Sequence, residues 1–337
     1  MKEAMFYETK GDKSVLCRLC NHFCRIKDGG RGICGVRENH NGVLVSLVYG
    51  RLVSANLDPI EKKPLFHFLP GSTSYSISTV GCNFQCAHCQ NWQISQFPHM
   101  NNGEIIGEDL SPEEVVDAAV LDGAKSISYT YVEPTIFYEF AYDCALLAKK
   151  KGLKNVFVSN GYMSPEAARH LSQVLDAINI DIKGFTDKFY HEICKAKLKP
   201  VLENVRLLHE LGVWVEVTTL IIPGHNDSPE ELADIARFIR GVSPAMPWHV
   251  TAFFPTYKLQ DAPPTPASSL RLARDIGIKE GLKYVYEGNI PGAGGENTYC
   301  PSCKAEVIKR RGFRIGENRL KDGKCGNCGT AIEGVWA

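Results

Sequence analysis

Eleven of the thirteen cysteines fall in three tight groups, and this distribution limits what the chain can build more than any other feature. Cys17, Cys20, Cys24 and Cys34 are spaced C-x2-C-x3-C-x9-C, and Cys300, Cys303, Cys325 and Cys328 are spaced C-x2-C-x21-C-x2-C. Between them Cys82, Cys86 and Cys89 are spaced C-x3-C-x2-C in "TVGCNFQCAHCQNW". The outer groups each close at four ligands, and the middle one stops at three. Cys144 and Cys194 stand alone. Cys144 lies on an apolar helical pattern and reads as core. Cys194 reads as an ordinary thiol on the side where a site is expected.

The N-terminus "MKEAMFYETKGDKSV" has no apolar stretch of the kind a secretory signal needs, and no run approaches the roughly 20 residues that span a bilayer. The expected location is cytoplasmic, where thiols are metal ligands or free rather than disulfides. Lys plus Arg and Asp plus Glu are equal at 38 each, which argues against the electrostatic footprint of a nucleic-acid binder. A local basic patch at Lys309–Arg311 is compatible with that balance.

The C-terminal group reads as a structural zinc ribbon, two C-x2-C knuckles around the strand-like spacer "AEVIKRRGFRI", with a purely structural role. Rubredoxin-like iron is the alternative. The N-terminal group fits zinc and equally fits a [4Fe-4S] cluster. Zinc is preferred there, because small N-terminal lobes are usually stapled structurally. His22 reads as an exposed loop residue, since four cysteines suffice.

From about residue 74 strand and helix patterns alternate. Strand-like runs cover 74–80, 126–132, 155–160, 177–183, 213–222, 248–254 and 283–288, rich in Val, Ile, Tyr, Phe and Thr. In "PTIFYEFAYDCALLAKKKG" the apolar residues recur at three-to-four spacing, and Gly152 stands where a C-terminal cap belongs. "SPEE" at Ser111 and Ser228 predicts an N-cap, a first-turn proline and a capping box, and "SPEA" at Ser164 a weaker copy. Such alternation predicts an α/β fold of parallel βα units, a complete or partial barrel, with an open doubly wound sheet as competitor. The expected organisation is a metal-binding lobe over 1–70, a core over 71–290 and a ribbon over 291–337. Chemistry then belongs in the loops after the strands, and the three-cysteine group follows the first strand directly. A zinc knuckle completed by an outside histidine is the bland alternative. Four irons held by three thiolates leave one iron open to a small molecule.

At these residues the sequence resembles the radical SAM superfamily, whose hallmark is C-x3-C-x2-C in this setting. The resemblance implies a partial (β/α)6-type barrel and a [4Fe-4S] cluster on Cys82, Cys86 and Cys89 whose open iron chelates S-adenosylmethionine (SAM). One electron then yields methionine and a 5′-deoxyadenosyl radical that abstracts hydrogen from a substrate, making the chain an oxidoreductase-type enzyme. The cluster loop looks like that of pyruvate formate-lyase activating enzymes, with His88 in place of the usual aromatic. "YVEP" stands where the superfamily has Gly-Gly-Glu-Pro, which implies that Glu133 meets the SAM amino group. "SNG" (Ser159–Gly161) matches a ribose-contacting Thr-Asn-Gly, and "DIK" (Asp181–Lys183) implies Lys183 near the SAM carboxylate. The run ending at Gly224 matches a loop over the adenine. In "FFPTY", Tyr257 takes the place of a SAM-contacting histidine. Singly, Glu133 reads as a helix cap, Asn160–Gly161 as a tight turn and Lys183 as a solvated residue; their recurrence at successive strand ends favours the site.

The two appendages make nearly the whole chain similar to the AmmeMemoRadiSam-system radical SAM proteins. That implies MEMO- and AMMECR-family partners and a low-potential electron donor of the ferredoxin or flavodoxin type. A glycyl-radical-activase-like reaction and one on a small molecule or peptide are both compatible. A non-catalytic iron or zinc module and a nucleic-acid-modifying enzyme are the alternatives from other classes.

Overall fold

The expected alternation builds one eight-stranded sheet in the computed structural model, which describes residues 1–290 and 294–337. In chain order its strands are β1 (Ser54–Pro59), β2 (Thr73–Ser78), β3 (Ser126–Tyr129), β4 (Lys154–Ser159), β5 (Ala177–Asp181), β6 (Trp214–Ile221), β7 (Trp248–Ala252) and β8 (Val285–Gly288). They pair in that same order, β2 to β8 all parallel and β1 antiparallel to β2. Among the described residues β1 and β8 do not pair with each other, so the barrel is partial. Helices α1 (Pro112–Leu121), α2 (Tyr138–Lys150), α3 (Pro165–Leu171), α4 (Leu198–Glu210), α5 (Pro229–Val242) and α6 (Ala267–Lys279) fill the six crossovers. Strands β3 and β5 are buried almost end to end, as strands covered on both faces are.

Local signals act largely as the sequence predicts. At Ser111 both halves of the capping box form. At Ser228 only one does: the hydroxyl accepts from the Glu231 N–H, but the Glu231 carboxylate turns away to accept from Phe185 N at 2.6 Å. Gly152, just after α2, takes φ +78°, the left-handed conformation of a helix stop. Four of the predicted strands end two or three residues early, at Ser78, Tyr129, Asp181 and Ala252. The apolar residues beyond these ends lie in loops. Strand β1 lies inside the region expected to be N-terminal lobe, so the core sheet extends across the boundary placed at residue 70. The boundary placed at 290/291 adjoins residues outside those described. No described helix is long and apolar enough to cross a membrane.

The lobe is two small antiparallel sheets, one of Lys2–Glu3, Arg37–His40 and Val43–Ser46, the other of Tyr7–Thr9, Val15–Cys17 and Arg25–Ile26. The ribbon is a three-stranded antiparallel sheet of Thr298–Tyr299, Glu306–Arg311 and Arg314–Asn318, whose hairpin turns at Gly312 (φ +60°) and Phe313.

A short segment, Pro64–Phe68, fills the inside of the curved sheet. Glu216 on β6 accepts from Phe66 N (3.0 Å), His67 N (2.8 Å), Trp214 Nε1 (3.0 Å) and His249 Nε2 (2.7 Å). Asn179 on β5 donates to the Pro64 carbonyl at 2.7 Å. Burial opposes charge on Glu216, but these donors and the nearby His67 hold its carboxyl below the usual range. The same segment ties the ribbon down. Arg310 donates to Thr298 Oγ1 (2.7 Å) and to the Phe66 carbonyl (2.7 Å). Thr298 then meets the Tyr286 hydroxyl at 2.9 Å, Tyr286 meets His67 Nε2 at 2.5 Å, and His67 Nδ1 donates to the Glu333 carbonyl at 2.6 Å.

Two outcomes are expected. Arg310 and Glu61 are fully buried with 3.8 Å between Arg310 Nε and a Glu61 oxygen, so Arg310→Ala leaves a carboxylate without its cation. It should cost roughly 3–5 kcal/mol in chemical denaturation; a loss below ~1 kcal/mol would mean that the pair is hydrated. Burial lowers His67 to about 4, against ~6.5 for a free imidazole. Below pH 6.5 the unfolded chain takes up a proton that the folded one refuses, so this stability is complete above 6.5 and lost on acidification towards 4. Between pH 7 and 5 wild type should lose about 2 kcal/mol more than His67→Gln.

Candidate active site

All seven parallel strands end around one cavity of about 470 Å³. Its wall takes Cys82, Cys86 and Cys89 from the loop after β2, Glu133 after β3, Ser159 and Asn160 at the end of β4, and Asp181 and Lys183 at the end of β5. Thr218 (β6), Thr251 (β7) and Gly288 (β8) complete the ring. The structure thus brings together the three middle cysteines and the residues matched to the SAM motifs at strand ends, but neither Tyr257 nor Gly224, which the resemblance had also placed there. Tyr257 stacks on Trp92 with ring centroids 5.2 Å apart and is absent from the cavity wall.

The cysteine loop is held by backbone and amide contacts rather than by helix or strand. Gly81 N donates to the Ile94 carbonyl (3.0 Å), Gln85 N to that of Cys194 (3.1 Å) and Ala87 N to that of Ile193 (2.9 Å). Gln96 Nε2 donates to the Phe84 carbonyl at 3.0 Å. The sulfurs have their own partners: Phe84 N lies 3.4 Å from Cys82 Sγ, and Ser95 Oγ 3.3 Å from Cys89 Sγ. Such contacts tune an iron–sulfur centre. Cys194 is fully buried beside the Cys86 thiol, and its segment clamps the loop.

Glu133 is 3% exposed and is bonded four times. One oxygen accepts from Thr135 N (3.1 Å), Thr135 Oγ1 (2.5 Å) and Ser159 Oγ (2.8 Å); the other accepts from Asn160 N (2.7 Å). The capping reading therefore holds, since Glu133 caps the 3₁₀ turn Pro134–Phe137, and so does its place on the wall. Burial raises its carboxyl despite these donors. Asn160 continues the chain of contacts, its amide donating to Asn83 Oδ1 in the cysteine loop at 2.7 Å.

Tyr131 occupies a left-handed conformation, φ +66°, at a position where the related motif has glycine. Its hydroxyl donates to Asp58, and the Lys63 ammonium lies 4.5 Å from its ring centre. These contacts compensate the strain of a bulky residue there. Lys183 pairs with Asp181 at 2.8 Å. Burial disfavours its charge, but Asp181 and the neighbouring Cys86 and Cys194 outweigh burial and raise it well above its ordinary value. His88 is buried and lowered to about 3 by burial, so it is neutral, and its Nδ1 has no partner.

Sequence reasoning missed one side of the cavity. Lys62 and Lys63 pair with Asp58 at 2.8 and 2.7 Å, and burial lowers Lys63 to about 8. The ribbon, expected to be purely structural, adds Glu296, Gly312 and the exposed Phe313 to the wall. No local signal marks these residues; only long-range packing brings them there.

The three cysteine groups differ in spacing. In the ribbon, Cys300 Sγ and Cys328 Sγ lie 3.6 Å apart and Cys303 Sγ and Cys325 Sγ 3.7 Å. These match the ~3.8 Å edge that a tetrahedral ion with ~2.3 Å bonds imposes. Thr330 holds the Cys328 thiol down to about 6, which favours the thiolate ligand. Among the described residues this is the one group of three or more metal-ligating side chains whose donor atoms all lie within 4.8 Å of each other. The sulfurs of Cys82, Cys86 and Cys89 do not all lie within that limit of one another.

The Radical SAM superfamily model matches residues 76–239, from β2 into α5. An uncharacterized protein of Methanocaldococcus jannaschii is 49% identical over 336 residues, 99% of each chain. A putative glycyl-radical enzyme activating enzyme of the same organism is 23% identical over 62% of this chain and 78% of its own. The crystal structure of a radical SAM methyltransferase from Sphaerobacter thermophilus overlays with TM-score 0.49 and 14% identity, over 64% of this chain and 67% of that one.

Removing the Glu133 carboxylate strands four buried donors. Glu133→Ala should destabilise the fold by about 2–4 kcal/mol and speed amide hydrogen exchange at Asn83–Ala87. Unchanged exchange in that loop would show that it is held without Glu133.

Proposed function

This chain belongs to the radical SAM superfamily, and on that premise we propose that it cleaves S-adenosylmethionine reductively and abstracts hydrogen from a substrate in the 470 Å³ cavity. The observation carrying this reading is the three-thiol loop on the wall of a cavity that all seven parallel strands complete. When bound, a [4Fe-4S] cluster on Cys82, Cys86 and Cys89 supplies one electron to the sulfonium, giving methionine and a 5′-deoxyadenosyl radical. The chain's part is binding and shielding. Lys183, held charged by Asp181, suits the SAM carboxylate. Glu133, with Ser159 and Asn160 fixed against it, suits the amino group and ribose. His88 offers a neutral imidazole to the same space. The ribbon side of the wall, with Phe313 and Glu296, is where a substrate would be selected.

A structural zinc ion in the ribbon is part of this reading, supported by the 3.6 and 3.7 Å sulfur spacings. The putative glycyl-radical activating enzyme among the relatives favours an activase-like reaction on a protein partner. The narrower likeness to AmmeMemoRadiSam-system proteins favours a MEMO- or AMMECR-family partner, with a ferredoxin or flavodoxin as electron donor.

Anaerobic protein with reconstituted iron, SAM and dithionite should release 5′-deoxyadenosine. Cys86→Ala should reduce release to background while the ribbon keeps its metal. Lys183→Ala should weaken SAM binding roughly 10–100-fold, the loss of one charge-assisted hydrogen bond. No deoxyadenosine from wild type, with zinc in the middle site, would overturn the proposal. Deuterium passed into deoxyadenosine from a labelled small molecule, against a glycyl radical in a protein partner, separates the two substrate classes.

A further inference from the structure

The N-terminal cysteines are wider apart than a zinc site allows. Cys17 ends the strand Val15–Cys17, Cys20 and Cys24 lie on either side of the following turn, and Cys34 precedes the strand Arg37–His40. All four line one small space of about 20 Å³. One tetrahedral zinc would draw their sulfurs to ~3.8 Å of one another, as in the ribbon. Yet no three of the four lie mutually within 4.8 Å. A four-iron cubane carries each thiolate on a different iron and spreads them to roughly 6 Å. The sulfurs of the Cys82 group, whose family requires such a cluster, likewise do not all lie within 4.8 Å of one another.

A second observation points to an anionic occupant. Arg37, 1% exposed, lines the space. One of its Nη atoms donates to the Met5 carbonyl at 2.6 Å and the other lies 3.0 Å from Glu139, but its Nε is buried with no partner. A guanidinium N–H left free beside four thiolates suits a cluster whose sulfides accept hydrogen bonds.

We propose that Cys17, Cys20, Cys24 and Cys34 hold a second [4Fe-4S] cluster in place of the zinc favoured from the sequence. With four thiolates none of its irons is open, so it does not chelate SAM. It lies directly behind the first cluster's loop. His22 Nε2 donates to the Asn83 carbonyl at 2.7 Å, and a Cβ at Gly81 would come within 2.9 Å of the Cys34 carbonyl.

Metal content decides the matter whether or not SAM is cleaved. Wild type, purified anaerobically, should carry about eight irons and one zinc per chain. The triple variant Cys82→Ala/Cys86→Ala/Cys89→Ala changes only the loop and should keep about four irons. On reduction it should show the electron paramagnetic resonance of a [4Fe-4S]+ centre that added SAM does not alter. Cys20→Ala/Cys24→Ala should lose that signal and keep the SAM-sensitive one. A triple variant with native circular dichroism, no iron and two zincs per chain would overturn the proposal, as would a lobe signal shifted by SAM.

Discussion

The site depends on one buried carboxylate. Glu133 gathers four donors from two successive strand ends and so fixes where β3 and β4 leave the sheet. Asn160, held by Glu133 through its backbone, uses its side chain to tether Asn83 in the loop of three cysteines. That loop has no regular structure of its own, so its thiols are positioned only by such contacts and by the carbonyls of Ile193 and Cys194. An uncompensated carboxylate could not be buried at this depth. Burial and satisfaction are therefore one requirement, and they place the cap residue of a short turn on the wall of the cavity.

A second buried carboxylate solves a different problem. A curved sheet that does not close leaves its inner surface to be filled, and here Pro64–Phe68 fills it, bonded through two backbone N–H groups to Glu216. The ribbon then rests on this segment through Arg310, Thr298, Tyr286 and His67. Filling the barrel and docking the ribbon are thus linked, which is how the Phe313 hairpin comes to border the cavity. The ribbon has a structural metal geometry and also shapes the space where a substrate would sit.

The cysteine groups show how far counting carries. Four ligands in a row of knuckles or bends is a pattern common to zinc and to iron–sulfur centres. Distance separates them, because an ion draws its ligands together and a cubane holds them apart. The ribbon sulfurs are close and the lobe sulfurs are not, although each group has four cysteines.

Much of the fold was written locally. Strand runs, serine caps and the glycine stop after α2 each act within a few residues, so seven parallel strands follow from the sequence, although their order and the antiparallel β1 do not. The strand-end positions of Cys82, Glu133, Asn160 and Lys183 follow as well, because parallel βα units carry successive loops to one rim. What lies across that rim did not follow. Tyr257 left it to stack on Trp92, while Lys63 and Phe313 entered it from segments remote in sequence. The sequence by itself determined which elements form and which residues stand at strand ends, since these depend on neighbours along the chain. Only the tertiary structure decided sulfur spacing and the far wall of the cavity, since both depend on packing between segments that the chain separates by up to hundreds of residues.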